Sequence, residues 1–131
     1  KVAGVLFFVW TAVILYGSLS PGDDLPPMGW LARIPHFDKI VHFCFYLGQV
    51  LLLLLWLQPS RGNRIWVALC AIIFSGTIEL LQGEYFDRSA DWLDFAANSA
   101  GALAGIPLAR LAERLIFKKD SGNETPPNND N

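Results

Sequence analysis

The chain has 131 residues, of which 53% are hydrophobic and only 17% charged, with a mean hydropathy of +0.35. This composition lies outside the range of soluble globular domains and selects the integral-membrane class, with room for a single domain. A formal net charge of -2 removes any whole-chain electrostatic argument for nucleic-acid binding.

The first apolar segment, Val2 to Leu19, contains no charged residue. At 1.5 Å per residue it covers roughly 27 Å, close to the hydrocarbon thickness of about 30 Å. It reads as a membrane span rather than a cleaved signal peptide, because the apolar run exceeds the usual h-region and Pro21 follows Ser18-Leu19-Ser20. Between Ser20 and Phe37, the breakers Pro21, Gly22, Asp23, Asp24, Pro26, Pro27, Gly29 and Pro35 predict a long loop. Trp30, Leu31 and Ile34 suit the interfacial zone, so the loop is expected to fold back over the bundle, with His36 solvated.

A second span is expected from Ile40 to Leu57, ending at Gln58-Pro59, and a third from Ile65 to Leu81 with Gly83 as its C-cap. The fourth runs from Trp92 to Phe117, with Pro107 either bending it or marking where it leaves the hydrocarbon. Short connections make consecutive spans antiparallel. Residues 120–131 carry no apolar side chain to bury and read as a disordered polar tail behind a domain over residues 1–119. The expected fold is all-α, an integral membrane bundle of four transmembrane helices.

An even number of spans puts both termini on one side. That side holds Lys1, Arg61, Arg64, Arg110, Arg114, Lys118 and Lys119, against Arg33, Lys39 and Arg88 on the other. Because cytoplasmic segments carry the excess of Lys and Arg, both termini are expected in the cytoplasm of an inner-membrane protein.

Nearly all the buried ionisable residues expected around the spans gather at the opposite end: Asp38, Lys39, His42, Glu79, Arg88, Asp91 and Asp94. A charge in hydrocarbon costs several kcal/mol even on lenient insertion scales, so such residues persist where they are partnered or perform work. At 100° per residue, His42, Phe45 and Gln49 lie within about 40° of the Asp38 direction, and Asp94, Asn98, Gly101 and Gly105 repeat the same offsets. Ser75, Glu79 and Gln82 form a third stripe. The row Ala97, Gly101, Gly105 and Ala109 offers a close-packing face to another helix, in this chain or in a second copy. Cys44 and Cys70 fall at different depths, beyond disulfide reach, and are expected as free thiols packed in the core.

Asp38-Lys39-Ile40-Val41-His42-Phe43 with Tyr46, then Glu79-Leu80-Leu81-Gln82, then Arg88, Asp91, Asp94, Asn98 and Gly101, resembles the VanZ-like family in order and spacing. The likeness extends from about Ser18-Leu19-Ser20-Pro21 to Gly105. It implies a small bacterial membrane protein with a cell-envelope role, in a family named for a member that raises resistance to teicoplanin. No settled catalytic activity accompanies the resemblance.

Two readings of the polar cluster stand side by side. In the first it binds or processes an amphiphile from the outer leaflet, such as a lipid-linked envelope precursor or a lipidated antibiotic. Lys39 and Arg88 would pair with an anionic head group, while Gln82, Asp91, Asp94, Asn98 and Tyr46 complete the binding set. His42 beside Asp38 is then the candidate acid or base, and Glu79 the next. No Ser or Cys stands out as an activated nucleophile. In the second reading Arg88 and Lys39 neutralise Asp91, Asp94 and Glu79 in a structural network that locks three helix ends, and the protein is a non-catalytic scaffold or modulator of an envelope partner. A metal held by His42, Glu79 and Asp94 has no diagnostic spacing in the sequence, and no cofactor is expected.

Overall fold

The computed structural model describes residues 1–20, 29–85 and 91–121. Among them are four α-helices and no strand: α1 over Val2–Leu19, α2 over Phe37–Leu57, α3 over Arg64–Tyr85 and α4 over Trp92–Ser121. Short 3-10 turns at Gly29–Arg33 and Arg61–Asn63 precede α2 and α3. Three helices are long and apolar enough to cross a membrane: α1, α2, and α3 with its preceding turn. The fourth expected span forms as a helix but falls short of that apolarity. Ala and Gly replace Leu and Ile along much of α4, and Asp94, Asn98 and Ser99 lie within it.

Several boundaries differ from the sequence expectation. Helix α2 starts at Phe37 rather than Ile40, because Pro35 cannot continue a preceding helix and His36 turns the chain in the left-handed region at φ 57°. This brings Asp38 and Lys39 onto the first helical turn, where an acidic side chain also favours the positive end of the helix. Gly83 is not a C-cap but lies inside α3, which continues to Tyr85. Helix α4 runs through Pro107 and reaches Ser121, into the stretch expected as tail.

The helices alternate in direction. Gly4 near the start of α1 faces Trp56 near the end of α2, and Gln82 near the end of α3 donates to the Ser18 carbonyl near the end of α1. Helices α2 and α4 run parallel and pack most extensively. Their contact requires glycine. A Cβ at Gly101 would overlap the Phe43 carbonyl, and one at Gly105 would lie 2.9 Å from Val50 Cβ. The small-residue row is thus occupied by α2 of the same chain, with its member Ala109 and the neighbouring Ala102 fully buried. Ile14, Tyr46, Val50, Leu54, Ala68 and Ala71 complete the core. Both cysteines are free, but they lie exposed on the bundle surface rather than in the core.

Candidate functional site

The C-terminal ends of α1 and α3 meet the N-terminal ends of α2 and α4, and this end carries the polar cluster. Its hub is Lys39. The ammonium lies 2.5 Å from Asp91 Oδ2, 2.5 Å from Asp94 Oδ1 and 2.9 Å from Asp38 Oδ2. Its side chain is only 19% exposed, whereas that of Asp38 is 61% exposed. One cation therefore ties the first turn of α2 to the start of α4.

Asp91 has two tasks. Its Oδ1 accepts the Leu93 backbone N–H at 2.9 Å, capping α4, while Oδ2 binds Lys39. The Lys39 ammonium, and after it the Leu93 N–H, hold the Asp91 carboxyl below the ordinary aspartate range. The sequence expectation places Asp91 in the ligand-binding set or in the structural network but not as a helix cap, although an acidic residue immediately before a helix is a recognisable capping signal.

One turn deeper, three helices share a second set of bonds. His42 Nδ1 lies 3.0 Å from Asn98 Oδ1, and Asn98 Nδ2 donates to Glu79 Oε1 at 3.3 Å. Glu79 and Asn98 are buried. His42 Nε2 lies 3.7 Å from Asp94 Oδ2. The carboxylates beside His42 are thus Asp94 and Glu79, the latter with Oε1 3.9 Å from Nδ1, both from other helices; Asp38, expected there from the one-turn spacing, turns to Lys39 instead. A one-turn spacing places two residues on one face, but the side chain follows the stronger partner, here an adjacent ammonium.

His42, Glu79 and Asp94 each offer a ligand atom, all within 4.8 Å of one another, a spacing that would admit a divalent cation. In the structure those groups are engaged with Asn98 and Lys39.

The remaining expected site residues separate. Gln82 is buried and bound to the Ser18 carbonyl, a helix-to-helix tie rather than a lining group. Tyr46 is buried in the core, its ring tilted against Phe74 with centroids 6.4 Å apart. Arg88 lies outside the described residues. Sequence reasoning missed an apolar groove of about 340 Å³ beside the network, lined by Gly76, Glu79, Leu80, Asp91, Trp92 and Phe95. Trp92 and Phe95 stack at its edge, 5.3 Å between centroids, and Gly76 leaves room for the Phe95 ring. No periodicity signals this groove, because its walls come from two helices brought together only by packing.

Apolar helices around a polar network at one end define a small helical membrane protein. The chain belongs to the VanZ/LLP1 family, whose model matches residues 4–113, a stretch that contains every residue of the network. Comparison with curated proteins and with solved structures gives no match.

Proposed function

We propose that this protein sits in the bacterial cytoplasmic membrane with both termini inside, and that the Lys39 end faces outward and binds an amphiphilic ligand of the cell envelope. The observation that carries this reading is the apolar groove between α3 and α4 with Glu79 and Asp91 on its wall. An apolar cleft with a few placed polar groups is the usual form of a ligand site, and here the polar groups adjoin the buried network.

The charges refine the head-group chemistry. Lys39 already faces three carboxylates, so an anionic head group would have to displace one of them. Hydrogen-bond donors, such as sugar hydroxyls, amides or an amine, suit Glu79 and Asp91 better. Lipid-linked envelope precursors and lipoglycopeptide antibiotics carry such donors beside an acyl or prenyl chain. Binding of the latter class would connect the site to glycopeptide resistance, the property for which the family is named. The chemistry on offer is proton transfer by His42, oriented by Asn98 and flanked by Asp94.

Native mass spectrometry of detergent-purified protein tests this by comparing lipids and lipid-linked precursors that co-purify with wild type and with Glu79→Gln. A head-group-bearing amphiphile retained by wild type and reduced in the variant is the expected result. The competing scaffold reading draws on Asn98, which bridges α2 and α3 from α4. Retention of no amphiphile by either protein, together with a lower melting temperature of the variant, would favour that scaffold.

A further inference from the structure

At the opposite end, the start of α3 and the last turns of α4 enclose a cavity of about 400 Å³ lined by Arg61, Arg64, Arg110, Glu113 and Arg114. Four arginines and one glutamate thus line it. Arg110, Glu113 and Arg114 share a helical face through i, i+3 and i+4 spacing, and Arg64 opens α3, where the helix dipole adds positive potential.

Arg64 is the unusual member. Its side chain is only 9% exposed, and its Nη2 donates to both Glu113 oxygens at 3.1 and 2.8 Å. Its Nε and Nη1 are buried and have no hydrogen-bond partner among the described residues. A guanidinium carries five N–H donors in a planar fork, and leaving buried donors unpaired is costly. Glu113 answers one edge of that fork and leaves the rest unmet.

We propose that this cavity is a phosphate-group site, in which an anion balances the excess positive charge of Arg61, Arg64, Arg110 and Arg114 that Glu113 leaves uncompensated. Phosphate fits this set better than a carboxylate, because it carries more oxygens to accept from several arginines and the excess positive charge exceeds what one carboxylate neutralises. The volume accommodates a head group rather than a lone ion. Exposed Ile65, Trp66, Leu111 and Leu115 flank the same end, so an anionic lipid can enter laterally with its chains on apolar surface. The site is independent of the Lys39 end and stands or falls separately from the function proposed for it.

The test uses full-length protein in a zwitterionic detergent, titrated in one arm with inorganic phosphate by calorimetry and in the other with phosphatidylglycerol or phosphatidylcholine by native mass spectrometry. Phosphatidylglycerol should occupy one saturable site per chain, about tenfold more tightly than phosphatidylcholine, since charge-assisted arginine bonds supply the difference. Arg64→Gln should abolish that preference. Because this variant also breaks the Glu113 pair, the exposed double variant Arg61→Gln/Arg114→Gln provides the independent check: preference reduced about tenfold, melting temperature unchanged. Arg33→Gln, outside the cavity, should bind as wild type. Saturation by inorganic phosphate with no lipid preference would uphold the phosphate site and assign it a soluble ligand. Equal retention of both lipids with no phosphate binding, or wild-type preference in the double variant, would overturn it.

Discussion

Lys39 is the residue on which the Lys39 end depends. Removing a partner from a buried ion pair costs roughly 3–5 kcal/mol, and from a surface pair about 0–1. Lys39 lies between these limits, so Lys39→Met should destabilise the protein by about 2 kcal/mol, seen as a lower melting temperature in detergent. The three aspartates then repel one another without a counter-charge. The Asp91 carboxyl, held below its ordinary range by Lys39 and the Leu93 N–H, adds a pH dependence. A depressed carboxyl contributes stability that is present above its unfolded value near 4 and is lost as pH falls through the lower folded value. Melting temperature should therefore change little from pH 7 to 5 and fall more acidic than about pH 4, with a shallower fall in Asp91→Asn.

At the scale of elements, the α2–α4 contact depends on the absence of side chains. A Cβ at Gly101 meets the Phe43 carbonyl, part of a rigid backbone, so relief requires moving α2. Overpacking costs 1–3 kcal/mol where side chains yield, so Gly101→Leu should cost about 3 kcal/mol or more, and even Gly101→Ala should lower the yield of folded protein. Gly62 supplies the control. A Cβ there meets nothing within 4 Å, so Gly62→Ala should leave thermal stability and membrane yield unchanged. Displacing α2 would also pull His42 from Asn98, so Gly101→Leu should abolish function together with folding. His42→Ala, Glu79→Ala and Asp94→Ala should abolish function with a smaller loss of membrane protein. Equal loss of protein in all four variants would support the scaffold instead.

At the scale of the whole molecule, helix alternation separates the two polar ends by the length of the bundle. The Lys39 end combines one lysine hub with carboxylates; the other end gathers arginines. With the basic end inside, a C-terminal green fluorescent protein fusion should fluoresce and an alkaline phosphatase fusion at the same point should be inactive. The reverse pattern would invert the proposed orientation and place the Lys39 end in the cytoplasm.

Much of this was legible in the sequence because it depends on local quantities. Apolar run length and turn residues determined the helices to within a few residues, and the ordered set from Asp38 to Gly101 determined the family. The clustering of His42, Glu79, Asp94 and Asn98 followed from helical phase plus short connections. Tertiary structure alone decided the finer pairings: Asp94 and Glu79 rather than Asp38 beside His42, Gln82 on the Ser18 carbonyl, and Asp38 rather than Glu79 joining Asp91 and Asp94 at Lys39. It also decided that the glycines of α4 serve α2, that the cysteines face outward, and that a groove and an arginine cavity form between α3 and α4. Helical phase determines which face a residue occupies; side-chain partners and cavities depend on how far apart two helices settle, and packing sets that distance.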